Sequence, residues 1–316
     1  MNGRKANLAF LITTICYIGL IYVLARFFPA VSESLILSNL LCELAVILPV
    51  MFFTVLSGEK LKSFLGFHKI KISTVLMIVL FTFLSLPALS LFNLISQLWV
   101  ENEVAAMLES QGQISFGALF LSVGVIAPVF EETACRGFYY RAYQRSGGAF
   151  KALFLSALLF ALMHMNFNQA AYAFIMGIFA VLLVEATGSL WASVLYHGFI
   201  NGSQVILLYG VMSESIDSYG EEMAIAPELL MVAIGVYVIF TAVTLPLAWA
   251  VLMWIGRVEG RSQILSDIWT KRKQKKDKMV TLPFLLAVSI CLIVMTGLIG
   301  FILEQFIKLV LMRLPS

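Results

Sequence analysis

The chain has 316 residues, 61% of them hydrophobic and only 12% charged, with a formal net charge of +3. Soluble domains carry roughly 45–50% apolar and about 25% charged residues. The composition therefore excludes a disordered protein, a coiled coil and an ordinary soluble enzyme, and it is that of a polytopic membrane protein.

A helix that crosses the hydrocarbon core needs about 20 mostly apolar residues. Taken in chain order, the runs that meet this need are 7–28, 35–57, 73–96, 115–140, 151–168, 170–187, 190–210, 228–255 and 280–303. The first follows Arg4 and Lys5 and is longer than the apolar region of a cleavable signal peptide, so it reads as a retained helix. The fifth to seventh runs are joined by very short links, which leaves eight or nine spans. The last run can continue towards Arg313. No Gly/Pro-rich linker and no second soluble domain is visible, so residues 1–316 read as one all-α integral membrane domain, a transmembrane helical bundle. Cys16, Cys42, Cys135 and Cys291 lie in apolar stretches without CxxC spacing, and they read as neither a disulfide framework nor a zinc knot.

The loops alternate in charge. Residues 1–6, 58–72, 136–151 and 256–279 are rich in Lys and Arg. Residues 97–113 carry Glu101, Glu103 and Glu109 without a base, and residues 211–227 carry Glu214, Asp217, Glu221 and Glu222, again without one. The positive-inside rule makes the basic loops, and with them the N-terminus, cytoplasmic. The run Lys271 to Lys278 reads as a topological anchor near anionic lipid. No nucleic-acid motif is present, and no internal repeat supports an inverted-repeat transporter. Compact loops and the lack of a sorting signal point to a bacterial cell membrane.

Ionisable groups inside a bilayer cost about 2.5–3.5 kcal/mol on insertion scales, so each needs a reason. Two of the three histidines, His164 and His197, lie in apolar segments, as do Glu131, Glu132, Arg136 and Asn201. At about 1.5 Å rise per residue, Glu131 lies about 15 Å from Arg141, His164 about 20 Å from Lys151, and His197 and Asn201 roughly 10–18 Å from the turn at Gly188-Ser189. Three segments thus deliver polar groups to one depth. Residues four apart share a helix face: Glu132 with Arg136, His197 with Asn201, and Phe160 with His164. Glu131 and Glu132 point about 100° apart on a 3.6-residue helix, so one can face a cavity while the other pairs with Arg136. Glu43 lies within the second run and could contact the polar cluster, without an identifiable partner.

Hydrolysis is one chemistry that fits. A carboxylate in a low-dielectric cavity suits a general base. Glu131 with His164 could hold and deprotonate a water, and His197 with Asn201 could donate to an oxyanion. Glu132 and Arg136 would support that arrangement. The same residues would also serve a proton-coupled transporter as a relay, and a non-catalytic immunity or regulatory membrane protein could keep the fold without needing the cluster. Cys135 at i+4 from Glu131 could face the same cavity, although a small buried residue is the simpler reading. Two His and one Glu can hold zinc, with Glu131, His164 and His197 as the ligands, but they lack the HExxH spacing.

Glu131-Glu132-Thr133-Ala134-Cys135-Arg136 has the form EExxxR, Phe160 to His164 the form FxxxH, and His197 to Asn201 the form HxxxN. In this order, on successive apolar segments, they resemble the CPBP family of intramembrane proteases, which includes the CAAX prenyl endopeptidases and bacterial Abi proteins. Thr187-Gly188-Ser189-Leu190 resembles the family too. The resemblance covers roughly residues 115–205 and implies a catalytic core of four central helices. It implies Glu131 as the water-activating base with His164, and His197 with Asn201 on the oxyanion side. It implies a glutamate-activated water rather than a metal, with zinc the alternative. The implied substrate is a peptide or lipidated protein at the membrane, cut close to a C-terminus. The chain departs from the family at Thr133, Ala134 and Cys135, where bulky apolar residues are usual.

Overall fold

A computed structural model describes residues 1–102, 115–214, 227–270 and 278–298, and every regular element among them is helical. Besides the short helical turns Pro29–Ser32 and Leu61–Leu65, the helices are α1 (Gly3–Phe27), α2 (Leu35–Leu56), α3 (Ile72–Ser96), α4 (Phe116–Gly147), α5 (Ala149–Met163), α6 (Phe167–Thr187), α7 (Leu190–Glu214), α8 (Pro227–Val258), α9 (Ser262–Thr270) and α10 (Leu282–Met295). Among the described residues six of them, α1, α2, α3, α4, α6 and α8, are long and apolar enough to cross a membrane. Helices α5 and α10 are apolar but span only 15 and 14 residues. The acidic Glu103, Glu109, Asp217, Glu221 and Glu222, most of the Lys271–Lys278 run and the end of the last predicted span lie outside the described residues.

The expected span 151–168 ends early for a local reason. Helix α5 stops at Met163 with His164 as its C-cap, and Met165 takes φ 56°, the left-handed region that non-glycine residues rarely adopt. Asn166 then starts α6 by accepting a hydrogen bond from the Gln169 backbone N–H at 2.7 Å. Asn166 followed three residues later by Gln169 is the spacing of a helix N-terminus. His164 therefore sits at a helix end, on a chain reversal, and not in the middle of a span.

Lipid supplies no hydrophobic drive between helices, so close packing and interhelical hydrogen bonds hold such a bundle together. Helix α8 lies along α3, α5 packs on α6, α1 on α2, and α7 on the first part of α4. Gly177 on α6 lets α5 approach. A Cβ placed there would stand 2.9 Å from Ala157 Cα and 3.1 Å from Arg136 Nη2. A Cβ at Gly19 on α1 would meet nothing within 4 Å. Gly177→Ala should therefore cost about 1–3 kcal/mol, the usual penalty of overpacking, whereas Gly19→Ala should not lower stability. Thermal unfolding of both variants in the same detergent checks this pair.

The four basic segments meet one another. The Met1 ammonium and the Arg145 guanidinium both bind Glu59, at 2.8 and 2.5 Å, and they hold its carboxyl below the usual carboxylate range. Glu259 accepts from the Lys71 backbone N–H at 3.2 Å and from the Thr74 hydroxyl, capping the start of α3. Asn7 donates to the Met279 carbonyl at 2.7 Å. Glu185, near the end of α6, is buried, with its carboxylate accepting from Gln144 at 2.9 Å.

Candidate active site

The long helix α4 is not uniformly α-helical. Residues Phe120–Ile126 and Thr133–Tyr140 are wound as π-helix, with the α-helical turn Ala127–Glu132 between them. Such widened turns gather at functional sites, and here the consequence can be followed atom by atom. The Ala127 N–H bonds the Ser122 carbonyl, five residues back. In the same register the Val123 carbonyl would receive its bond from residue 128, which is proline and has no N–H. The Asn201 side chain of α7 takes this carbonyl instead, donating to it at 3.0 Å. The approach favours glycine, because a Cβ at Gly198 would lie 3.1 Å from the Gly124 carbonyl oxygen, tighter than an ordinary contact.

Bonding to a carbonyl identifies that atom of Asn201 as the amide nitrogen. The same nitrogen lies 3.1 Å from His197 Nε2, so its second proton points at the imidazole, and Nε2 accepts. His197 Nδ1 then carries the ring proton and donates to Glu132 Oε1 at 3.1 Å. The network fixes one neutral tautomer of His197 and ties its ring at both nitrogens. Interhelical hydrogen bonds in membranes average about 0.6 kcal/mol, so the gain is a set ring orientation more than stability.

Glu132 also accepts from Arg136 Nη1 at 2.9 Å, and both side chains are fully buried. The Arg136 guanidinium stands over the face of Phe160, with Cζ 4.2 Å from the ring centroid. The same ring meets His164 and His197 edge-on, at 5.0 and 5.6 Å between centroids. Phe160 is thus the common floor of the cluster. It holds the cation on its electron-rich face and packs perpendicular to both imidazoles.

Glu131 points elsewhere. Its side chain retains 18% exposure, and Oε2 lies 4.0 Å from His197 Nε2. His164 Nδ1 lies 2.9 Å from the Phe160 carbonyl, which turns the other ring nitrogen away from its own helix. No ion pair within 4.0 Å joins Glu131 to His164 among the described residues. Cys135 is fully buried, with Sγ 3.7 Å from Met163 Sδ. As placed, no three His, Cys, Asp or Glu side chains among the described residues are spaced to hold a metal ion.

Of three further contributors to this site, two escaped the sequence reading. The Val123 carbonyl was signalled only by Pro128 five residues on. Tyr172 of α6 lies within electrostatic reach of Glu131. Glu43 of α2 faces Glu131 within hydrogen-bonding reach; it stood out in the sequence as a lone charge, but nothing there could supply its partner.

Residues 113–203 match the Rce1-like family model, described as type II CAAX prenyl endopeptidase Rce1-like. The matched segment contains the whole set Glu131, Glu132, Arg136, Phe160, His164, His197 and Asn201. No curated protein and no solved structure matches the chain.

Proposed function

We propose that the chain is an intramembrane endopeptidase that hydrolyses a peptide bond of a membrane-associated peptide or lipidated protein. The observation that carries this reading is the meeting of Glu131, His197 and Asn201 around one buried, tautomer-defined imidazole in an apolar helical core. A structural ion pair alone would leave Glu131 without a task, since Arg136 is already neutralised by Glu132.

In this reading a water lies between Glu131 and His164. Glu131 takes one of its protons as the oxygen attacks the carbonyl carbon, and later passes that proton to the departing amine. In the form of the protein that has taken up a proton from water on His197 Nε2, the oxyanion is met by that N–H and by the Asn201 amide, which swings from the imidazole. Glu132 holds the imidazole from behind, and Arg136 balances the Glu132 charge. The basic segments lie on the cytoplasmic side, as does the N-terminus. The short α5 and α10, together with α7, complete a bundle of eight or nine spans within one domain.

The test is cleavage of fluorogenic peptides, with and without a C-terminal prenyl group, by the full chain in detergent. Wild type should cleave with or without a zinc chelator, and His164→Ala should lose about 10²–10⁴-fold in kcat, the range of general acid–base catalysis. Cleavage lost with the chelator and restored by zinc would replace the glutamate-activated water with a metal-bound one. Undiminished cleavage by His164→Ala would remove that residue from the mechanism.

A further inference from the structure

Helix α2 contains one charged residue, Glu43, and it is 5% exposed. No cation pairs with it among the described residues; the groups in electrostatic reach are Glu131 of α4 and Tyr17 of α1, with Cys42 beside it on α2. Tyr17 and Cys42 are engaged with each other. Oε2 of Glu43 and Oε2 of Glu131 are both buried without a hydrogen-bond partner. Two carboxyl groups thus face each other in a low-dielectric space. An ionised carboxylate can only accept, so two of them opposed would repel, whereas one proton between them turns the contact into a charge-assisted hydrogen bond.

We propose that Glu43 is a positioning residue for Glu131: the pair holds one proton, carried by Glu43, and the resulting hydrogen bond aims the Glu131 carboxylate into the site. The proton belongs on Glu43 because it is the more enclosed of the two. Glu131 keeps 18% exposure and lies 4.0 Å from His197 Nε2. Cys135 from α4 and Tyr172 from α6 complete the titratable surroundings, and none of these is a fixed cation. The bond leaves Glu131 with one oxygen held and the other available to a water. The positioning role rests on the reading of Glu131 as the base; the shared proton does not.

Infrared spectroscopy of the full chain in lipid vesicles tests the proton directly, through the carbonyl stretch of a neutral carboxylic acid above the amide I band. A wild-type minus Glu43→Gln difference spectrum should show that band, and Glu131→Gln should shift it without removing it. No such band in the difference spectrum, or its loss in Glu131→Gln, would overturn the proposal. With a prenylated fluorogenic peptide as the probe, Glu43→Gln, which keeps a donor of the same shape, should retain kcat to within about threefold, whereas Glu43→Ala should lower it about 10–100-fold at unchanged KM, as for other supporting hydrogen bonds. Equal loss in both variants would overturn the positioning role. The infrared measurement needs no turnover, so a wild type that cleaves nothing would sink the protease reading while the carboxyl pair is still decided.

Discussion

Glu131→Gln is expected to lower kcat by about 10²–10⁴-fold, the contribution of a well-placed general base, with little change in stability. The two halves of this expectation come from different observations. The catalytic half comes from the position of Glu131 at the edge of the His197 imidazole, with an oxygen that no donor occupies. The stability half comes from the absence of Glu131 in the central ion pair, so that no buried cation is stranded when its charge is removed. Glu132→Gln provides the contrast one residue away. It removes the countercharge of Arg136 and weakens the anchor of His197 together. Turnover and thermal unfolding measured on the same two preparations separate the roles. If Glu131→Gln unfolds as readily as Glu132→Gln, Glu131 is a structural group and not a base.

Arg136→Ala carries the largest expected effect on stability. Its guanidinium is fully buried, bonded to Glu132 and stacked on Phe160. Truncation leaves the Glu132 carboxylate buried without its cation, a change that costs about 3–5 kcal/mol in comparable sites. It also strips the face of the ring that supports both imidazoles. The double variant Glu132→Gln/Arg136→Met removes both charges and keeps the volume. It should recover most of the loss, because a buried ion pair contributes little beyond an apolar replacement of similar size. Denaturation midpoints of wild type, both single variants and the double variant give the coupling energy. Additive effects would mean that the two side chains do not act as a pair, against the 2.9 Å contact. Activity should not return with stability in the double variant, since the neutral amide that replaces the Glu132 carboxylate lacks the charge that favours His197 once it is protonated.

How much of this was legible beforehand divides along one physical line. The membrane as solvent followed from composition, because no soluble core can absorb 61% hydrophobic residues. Contacts within a single helix followed from its 3.6-residue period: Glu132 with Arg136, His197 with Asn201, and Phe160 with His164 all form at i and i+4. The three motifs carried the resemblance that the family match over residues 113–203 then supported.

What the sequence could not disclose are contacts between segments distant along the chain, and the breaks that set helix ends. The left-handed turn at Met165 places His164 on a cap, and methionine, which rarely adopts that conformation, gives no sign of it in the sequence. The π-helical winding of α4 redirects the Val123 carbonyl to Asn201 across 78 positions. Glu132 meets His197 across 65 positions, and Glu43 meets Glu131 from a helix that no motif includes. The sequence by itself determined the solvent, the helices and which chemical groups are available on each helix face, since these depend on local period and composition. Only the tertiary structure decided that the carboxylate paired with Arg136 also holds His197, and that Glu43 meets the other one, because that depends on the rotation of one packed helix against another.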